Sequence, residues 1–83
     1  MNLSDVVNKV ISVVSEEMAL PIADLTLNQT FEELGINSHS GLGILIQLEK
    51  AFNIRIENEA MQKISTLADV VNVIENGLAE RHR

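Results

Sequence analysis

Apolar residues recur along this chain at helical spacing in three long stretches and one short one. From Ser4 to about Met18, the residues Val6, Val7, Val10, Ile11, Val13, Val14 and Met18 fall at intervals of three, four and seven, which gathers them on one face. Ser4 is suited to cap this helix and Asp5 to complement the positive end of its dipole. Valine loses side-chain freedom in a helix, so the stability of this one must come from packing. Pro21 stops it shortly after its last apolar residue.

Residues 19–30 form a long connection, which Leu20, Ile22, Leu25 and Leu27 are expected to pin onto the core. Thr30-Phe31-Glu32-Glu33 has capping-box spacing and predicts a single helical turn ended by Gly35. The second main helix runs from about Ser38 to Phe52. Leu42, Ile44, Leu45, Ile46 and Leu48 are too many for one stripe, so this helix is either central or shows apolar surface to something besides the core. Gly41 and Gly43 weaken its start by about 0.8–1.0 kcal/mol each relative to alanine. They read equally as tolerated weakness or as room for another surface to approach.

Asn53 to Ile56 is a short extended link, and Asn58 to Ile64 makes one or two turns with Ala60, Met61 and Ile64 inward. Thr66-Leu67-Ala68-Asp69 is a capping box with Asp in place of Glu. It opens a last helix carrying Leu67, Val70, Val71, Val73, Ile74 and Leu78 and closing near Gly77. The pattern predicts an all-α fold: a small four-helix bundle of three longer helices plus a short third one, with a long first loop. With 83 residues and no internal linker, residues 1–83 read as a single domain.

Composition sharpens this picture. The chain is 46% hydrophobic with only two large rings, Phe31 and Phe52, so the core is aliphatic. Twelve acidic residues face six basic ones, and Arg81 and Arg83 lie in the last three positions, in what reads as a disordered tail. That balance argues against nucleic acid and anionic membrane surfaces and favours partners with basic patches. There is no cysteine, so any thiol chemistry needs a thiol supplied from outside. No apolar run reaches membrane-spanning length and no secretion signal opens the chain; the expected state is a cytoplasmic monomer without membrane insertion.

No catalytic or metal-binding constellation is legible. Ser38 and His39 are adjacent, and neighbours on a helix point about 100° apart, so they cannot pair as nucleophile and base. Glu16-Glu17 and Glu32-Glu33 read as solvated faces, and His39 as a surface residue. Ser38 itself, at the first position of the second helix, reads on its chemistry alone as an ordinary cap. The same hydroxyl is also well placed to hold a phosphate, because a helix N-terminus offers unpaired donors and partial positive charge.

Leu34-Gly35-Ile36-Asn37-Ser38, followed by Leu42, Leu48-Glu49 and Ala51-Phe52, resembles the signature of the acyl carrier protein family. Phe52-Asn53-Ile54-Arg55-Ile56 and Lys63-Ile64-Ser65-Thr66-Leu67 fall in the same register, and the likeness covers essentially the whole chain. It implies an acyl-carrier-type bundle in which Ser38 receives a 4′-phosphopantetheine arm from coenzyme A through a phosphopantetheinyl transferase. The arm brings the missing thiol and carries acyl groups as thioesters to separate acyl-loading, acyltransferase or synthase enzymes. The carrier itself catalyses nothing. Asn37 and His39 flank the attachment point, and Leu42, Ile46 and Glu49 are the implied partner contacts.

Departures from the family pattern concern charge. Asn37 stands where an acidic residue is usual, His39 where an apolar one is, and Ser40, Gly43 and Lys50 where the second helix usually carries carboxylates. These changes suggest a specialised carrier with dedicated partners and weak salt dependence of association, rather than the general carrier of fatty acid synthesis. Other outcomes are a polyketide or specialised lipid pathway, a peptidyl, aryl or D-alanyl carrier, or an unmodified helical interaction domain.

Overall fold

The computed structural model describes residues 3–81. Four helices follow one another: α1 (Leu3–Met18), α2 (Ser38–Phe52), α3 (Asn58–Lys63) and α4 (Leu67–Arg81), with a short 3₁₀ turn at Ile22–Asp24 in the first connection. The expected all-α bundle with one short helix is what forms. His82 and Arg83, most of the expected tail, lie outside the described residues, while Arg81 ends α4.

The valine face of α1 forms the spine of the core. Val6, Val10, Val13 and Val14 are buried, together with Ile44, Leu45, Leu48 and Phe52 of α2 and Leu67, Val70, Val71 and Ile74 of α4. Helix α1 packs closely on both α2 and α4, whereas α3 approaches no helix as closely. Instead, α3 is held by its half-buried Ala60 and Met61 and by Ile64 just beyond it.

Several helix ends differ from the sequence expectation. Helix α1 begins at Leu3, so Ser4 lies in its first turn and does not cap it. At the other end Ala19 turns left-handed (φ 53°), and the Leu20 amide reaches back to the Ser15 carbonyl at 3.1 Å before Pro21 arrives. Helix α4 runs through Gly77 to Arg81. Gly77 answers a different demand: a Cβ there would sit 3.0 Å from Ile54 Cδ1, so the glycine lets the link after α2 lie against α4. A Cβ on Gly41 or Gly43 would meet neighbours only at 3.6 Å or more, so packing within the bundle requires neither glycine.

The long first connection is fastened to the start of α4. Ala68 N–H donates to the Leu27 carbonyl and Phe31 N–H to the Ser65 carbonyl, both at 2.9 Å, and Thr30 pairs with Thr66 in an isolated antiparallel bridge. Leu25 is buried and Leu20 and Leu27 half-buried. Ile22, expected to help pin the loop, is 60% exposed because it lies on the outer side of the 3₁₀ turn.

Both capping boxes form, one on each side of this bridge. Thr30 N–H donates to Glu33 Oε1 at 3.0 Å while Glu33 N–H donates to Thr30 Oγ1 at 3.1 Å. Asp69 Oδ2 accepts from the Ser65 and Thr66 amides at 3.0 and 3.1 Å, and Asp69 N–H donates to Thr66 Oγ1. Hydrogen bonds from the Thr30 backbone and hydroxyl hold the Glu33 carboxyl below the usual carboxylate range, and the Ser65 and Thr66 amides do the same for Asp69. A depressed folded-state pKa means that the unfolded chain binds more protons as acid is added, so stability falls with falling pH. Thermal melts followed by circular dichroism should hold from neutral pH to about pH 5 and decline through about pH 4 and below. Glu33→Gln combined with Asp69→Asn should make that decline shallower.

Candidate functional site

The approach to α2 is set by a left-handed turn. Gly35 sits at φ 76°, Gly35 N–H donates to the Glu32 carbonyl at 3.1 Å, and Ile36 N–H donates to the Phe31 carbonyl at 2.8 Å. These are the two bonds of a Schellman ending, in which Ile36 and Phe31 hold the positions of its usual apolar pair. A Cβ on Gly41 would touch both side chains, which locates the pair against the start of α2. Ile36 is thereby buried, and the chain leaves it extended at Asn37 (φ −92°, ψ −178°).

Asn37, not Ser38, caps α2. Its Oδ1 accepts from the Ser40 amide at 2.8 Å, and its carbonyl accepts from Gly41 N–H, also at 2.8 Å, as the first bond of the helix. This corrects the reading of Ser38 as the cap. Ser38 is the first residue inside the helix, it is exposed, and its hydroxyl takes part in none of the hydrogen bonds found among the described residues. The Ser38 and His39 amides likewise have no acceptor among them, as the first donors of a helix do not within the helix itself. His39 is exposed beside it.

An open cleft of about 450 Å³ lies next to Ser38. Phe31, Ile36, Leu42, Leu45, Met61 and Ile64 give it apolar walls, and Asn37, Ser38 and Gln62 supply polar groups. Its volume is on the scale of small-ligand sites, about 300–1,000 Å³. Sequence reasoning assigned Met61 and Ile64 to the core and Phe31 to a turn. Their shared role as cleft walls depends on the loop and α3 both folding back over α2, which no local spacing reports.

The implied partner contacts divide. Leu42 and Ile46 are 49% and 39% exposed on the outer face of α2. Glu49 is half-buried, and its Oε2 accepts from the Ile56 amide at 2.8 Å, which fastens the link to α3. No group of three or more His, Cys, Asp or Glu among the described residues is arranged to hold a metal ion. No helix among them is long and apolar enough to cross a membrane.

An exposed serine, free of capping duty, stands at a helix N-terminus beside an apolar cleft. A family model described as a phosphopantetheine attachment site matches residues 8–74. The acyl carrier protein of Phytoplasma australiense is 35% identical over 75 residues, covering 89% of this chain and 99% of that one. The acyl carrier protein of Prochlorococcus marinus (strain MIT 9515) is 33% identical over 76 residues, covering 90% and 95%. The crystal structure of an acyl carrier protein from Thermotoga maritima superposes with a TM-score of 0.84 at 28% identity, covering 96% of this chain and 94% of that one. The chain belongs to the acyl carrier protein family. It is accordingly a carrier and not a catalyst, and its prosthetic group is 4′-phosphopantetheine.

The division of labour at the N-terminus of α2 is open to a direct check. Asn37→Ala should cost about 1 kcal/mol of stability, lowering the melting temperature by roughly 4–8 °C for a domain of this size. Ser38→Ala should stay within about 0.5 kcal/mol of the parent. Denaturant unfolding of the two variants measures both values, and a larger loss for Ser38→Ala would return the capping role to Ser38.

Proposed function

We propose that Ser38 is the attachment residue and that the chain holds acyl groups there for delivery to separate enzymes. The observation that carries this reading is the exposed Ser38 hydroxyl, released from capping by Asn37 and set at the edge of the apolar cleft. A phosphodiester on Ser38 Oγ fits the residues present: its charge complements the Ser38 and His39 amides, which have no acceptor among the described residues, and the positive end of the α2 dipole. The bound group supplies a terminal thiol, to which acyl cargo is joined as a thioester.

In the loading reaction Ser38 Oγ forms the new bond to the pantetheine phosphorus. The diphosphate bond of coenzyme A breaks, adenosine bisphosphate departs, and the serine proton passes to a base of the transferase. The chain's own part is positional. Asn37 fixes the start of the helix, the Gly35 turn and buried Ile36 orient it, and the walls of the cleft offer an apolar surface on which the cargo can lie. Loose seating of α3, which contributes Met61 and Gln62, supports a cleft that can widen for longer cargo.

The sparse charge of α2 supports a specialised carrier with its own acyl-handling partners, as distinct from the general carrier of fatty acid synthesis. Only Glu49 is acidic between Ser38 and Phe52, and its carboxylate is occupied by the Ile56 amide. Incubation with coenzyme A and a broad-specificity phosphopantetheinyl transferase should add one phosphopantetheine to the parent chain and none to Ser38→Ala, read by intact mass. Failure of the parent to gain mass, while a control carrier does, would overturn the assignment of Ser38.

A further inference from the structure

The polar groups of the cleft beside Ser38 are few: Asn37, Ser38 and Gln62 stand among its apolar walls. Asn37 has its side-chain oxygen committed to the Ser40 amide as the cap of α2, and Ser38 is the proposed point of attachment. Gln62, on α3, is exposed, and its carboxamide takes part in none of the hydrogen bonds found among the described residues. A carboxamide both donates and accepts. Once Ser38 carries its group, Gln62 is the side chain of the cleft whose donor and acceptor are both uncommitted.

The helix that carries Gln62 is the least secured of the four. Helix α3 packs less closely on its neighbours than α1, α2 and α4 do on theirs, and Glu57 precedes it without a side-chain cap. At its far end Ile64 N–H meets the Met61 carbonyl at 3.4 Å. The chain on either side is better tied. Before α3 the Ile56 amide donates to Glu49 Oε2 at 2.8 Å, and after it the Ser65 and Thr66 amides donate to Asp69 Oδ2 at 3.0 and 3.1 Å. Residues 57–64 therefore form a span fastened at both ends and lightly held between them, and Gln62 lines the cleft from that span.

We propose that Gln62 hydrogen-bonds the pantetheine arm in the cleft, so that loading of the prosthetic group fastens α3 to α2. This inference rests on Ser38 being the attachment residue. Pantetheine is built around amide groups, each with an N–H and a carbonyl. An arm lying on the apolar walls takes those groups partly out of water, and an amide left unpaired there costs free energy. The Gln62 carboxamide matches such an amide, donor to acceptor and acceptor to donor. Joined to Ser38 at one end and bonded to Gln62 along its length, the arm becomes a tether between α2 and α3 that the packing of the chain supplies only weakly. A contact made only with α3 in place lowers the frequency of its local opening.

The test compares hydrogen–deuterium exchange of the full chain before and after loading with coenzyme A and a broad-specificity transferase, intact mass confirming the added group. Loading should slow exchange of the amides of residues 58–64 about fivefold and shift the resonances of the Gln62 side-chain NH2, while the amides of α1 change little. Gln62→Leu keeps the bulk of the side chain and removes its hydrogen bonds. Loaded to completion in the same way, it should lose most of the added protection of α3. Unslowed exchange of α3 in the loaded parent would overturn the tether, and undiminished protection in loaded Gln62→Leu would overturn the role of Gln62. Either result would leave the Ser38 assignment standing. No mass gain by the parent, while a control carrier gains it, would remove both.

Discussion

Burial of the valine face of α1 is the constraint on which everything else in this protein depends. Val6, Val10 and Val14 are fully buried, and each such side chain taken from water contributes about 1.5–3 kcal/mol. Helices α2 and α4 are both organised against that face, and valine's poor intrinsic helicity means that α1 in turn needs them. The bundle is therefore mutually dependent at its centre. Its periphery, α3 above all, is free to be less tightly bound. Helix α3, which supplies part of the cleft wall, is thus the helix with the fewest close neighbours among the others.

The second organising feature is the polar clamp between the long first loop and the start of α4. Two capping boxes stand on either side of the Thr30–Thr66 bridge, so each threonine both closes a turn and pairs across it. That arrangement satisfies amides that a long loop would otherwise leave exposed or orphaned. It also fixes where Phe31 begins its turn, and hence where Gly35, Ile36 and Asn37 deliver Ser38. The distance in sequence between the clamp and the serine is short, and the backbone bonds of the Gly35 turn and the Asn37 cap span most of it.

Electrostatics distributes the remaining roles. The chain is acidic overall, yet the face of α2 around Ser38 carries no carboxylate, and the acidic residue that persists there, Glu49, serves the fold by holding the Ile56 amide. Net charge thus predicts poorly what a partner meets at the site. The local arrangement differs from the overall balance: apolar Leu42 and Ile46 are exposed on the outer face of α2, and Glu57 and Glu59 are exposed at the entry to α3.

By itself the sequence determined the helices and the capping boxes, while the role proposed for Ser38 came from the family resemblance around it. The helices and boxes follow from spacing and from residue chemistry over three or four positions, which is the range over which helical periodicity and caps act. The start of α2 at Ser38, the turn ended by Gly35 and the inward Met61 and Ile64 were all legible on that scale. Tertiary structure decided the rest. Which of Asn37 and Ser38 caps α2 depended on the direction from which the clamped loop enters. Gly77 stands within α4, and not at its end, because Ile54 from a distant segment lies against it. Ile22 faces outward although three neighbouring apolar loop residues face inward, and Glu49 turns to an amide seven residues away. The walls of the cleft come from the loop, α2 and α3 together, so their common purpose exists only once the valine core has brought those segments into contact.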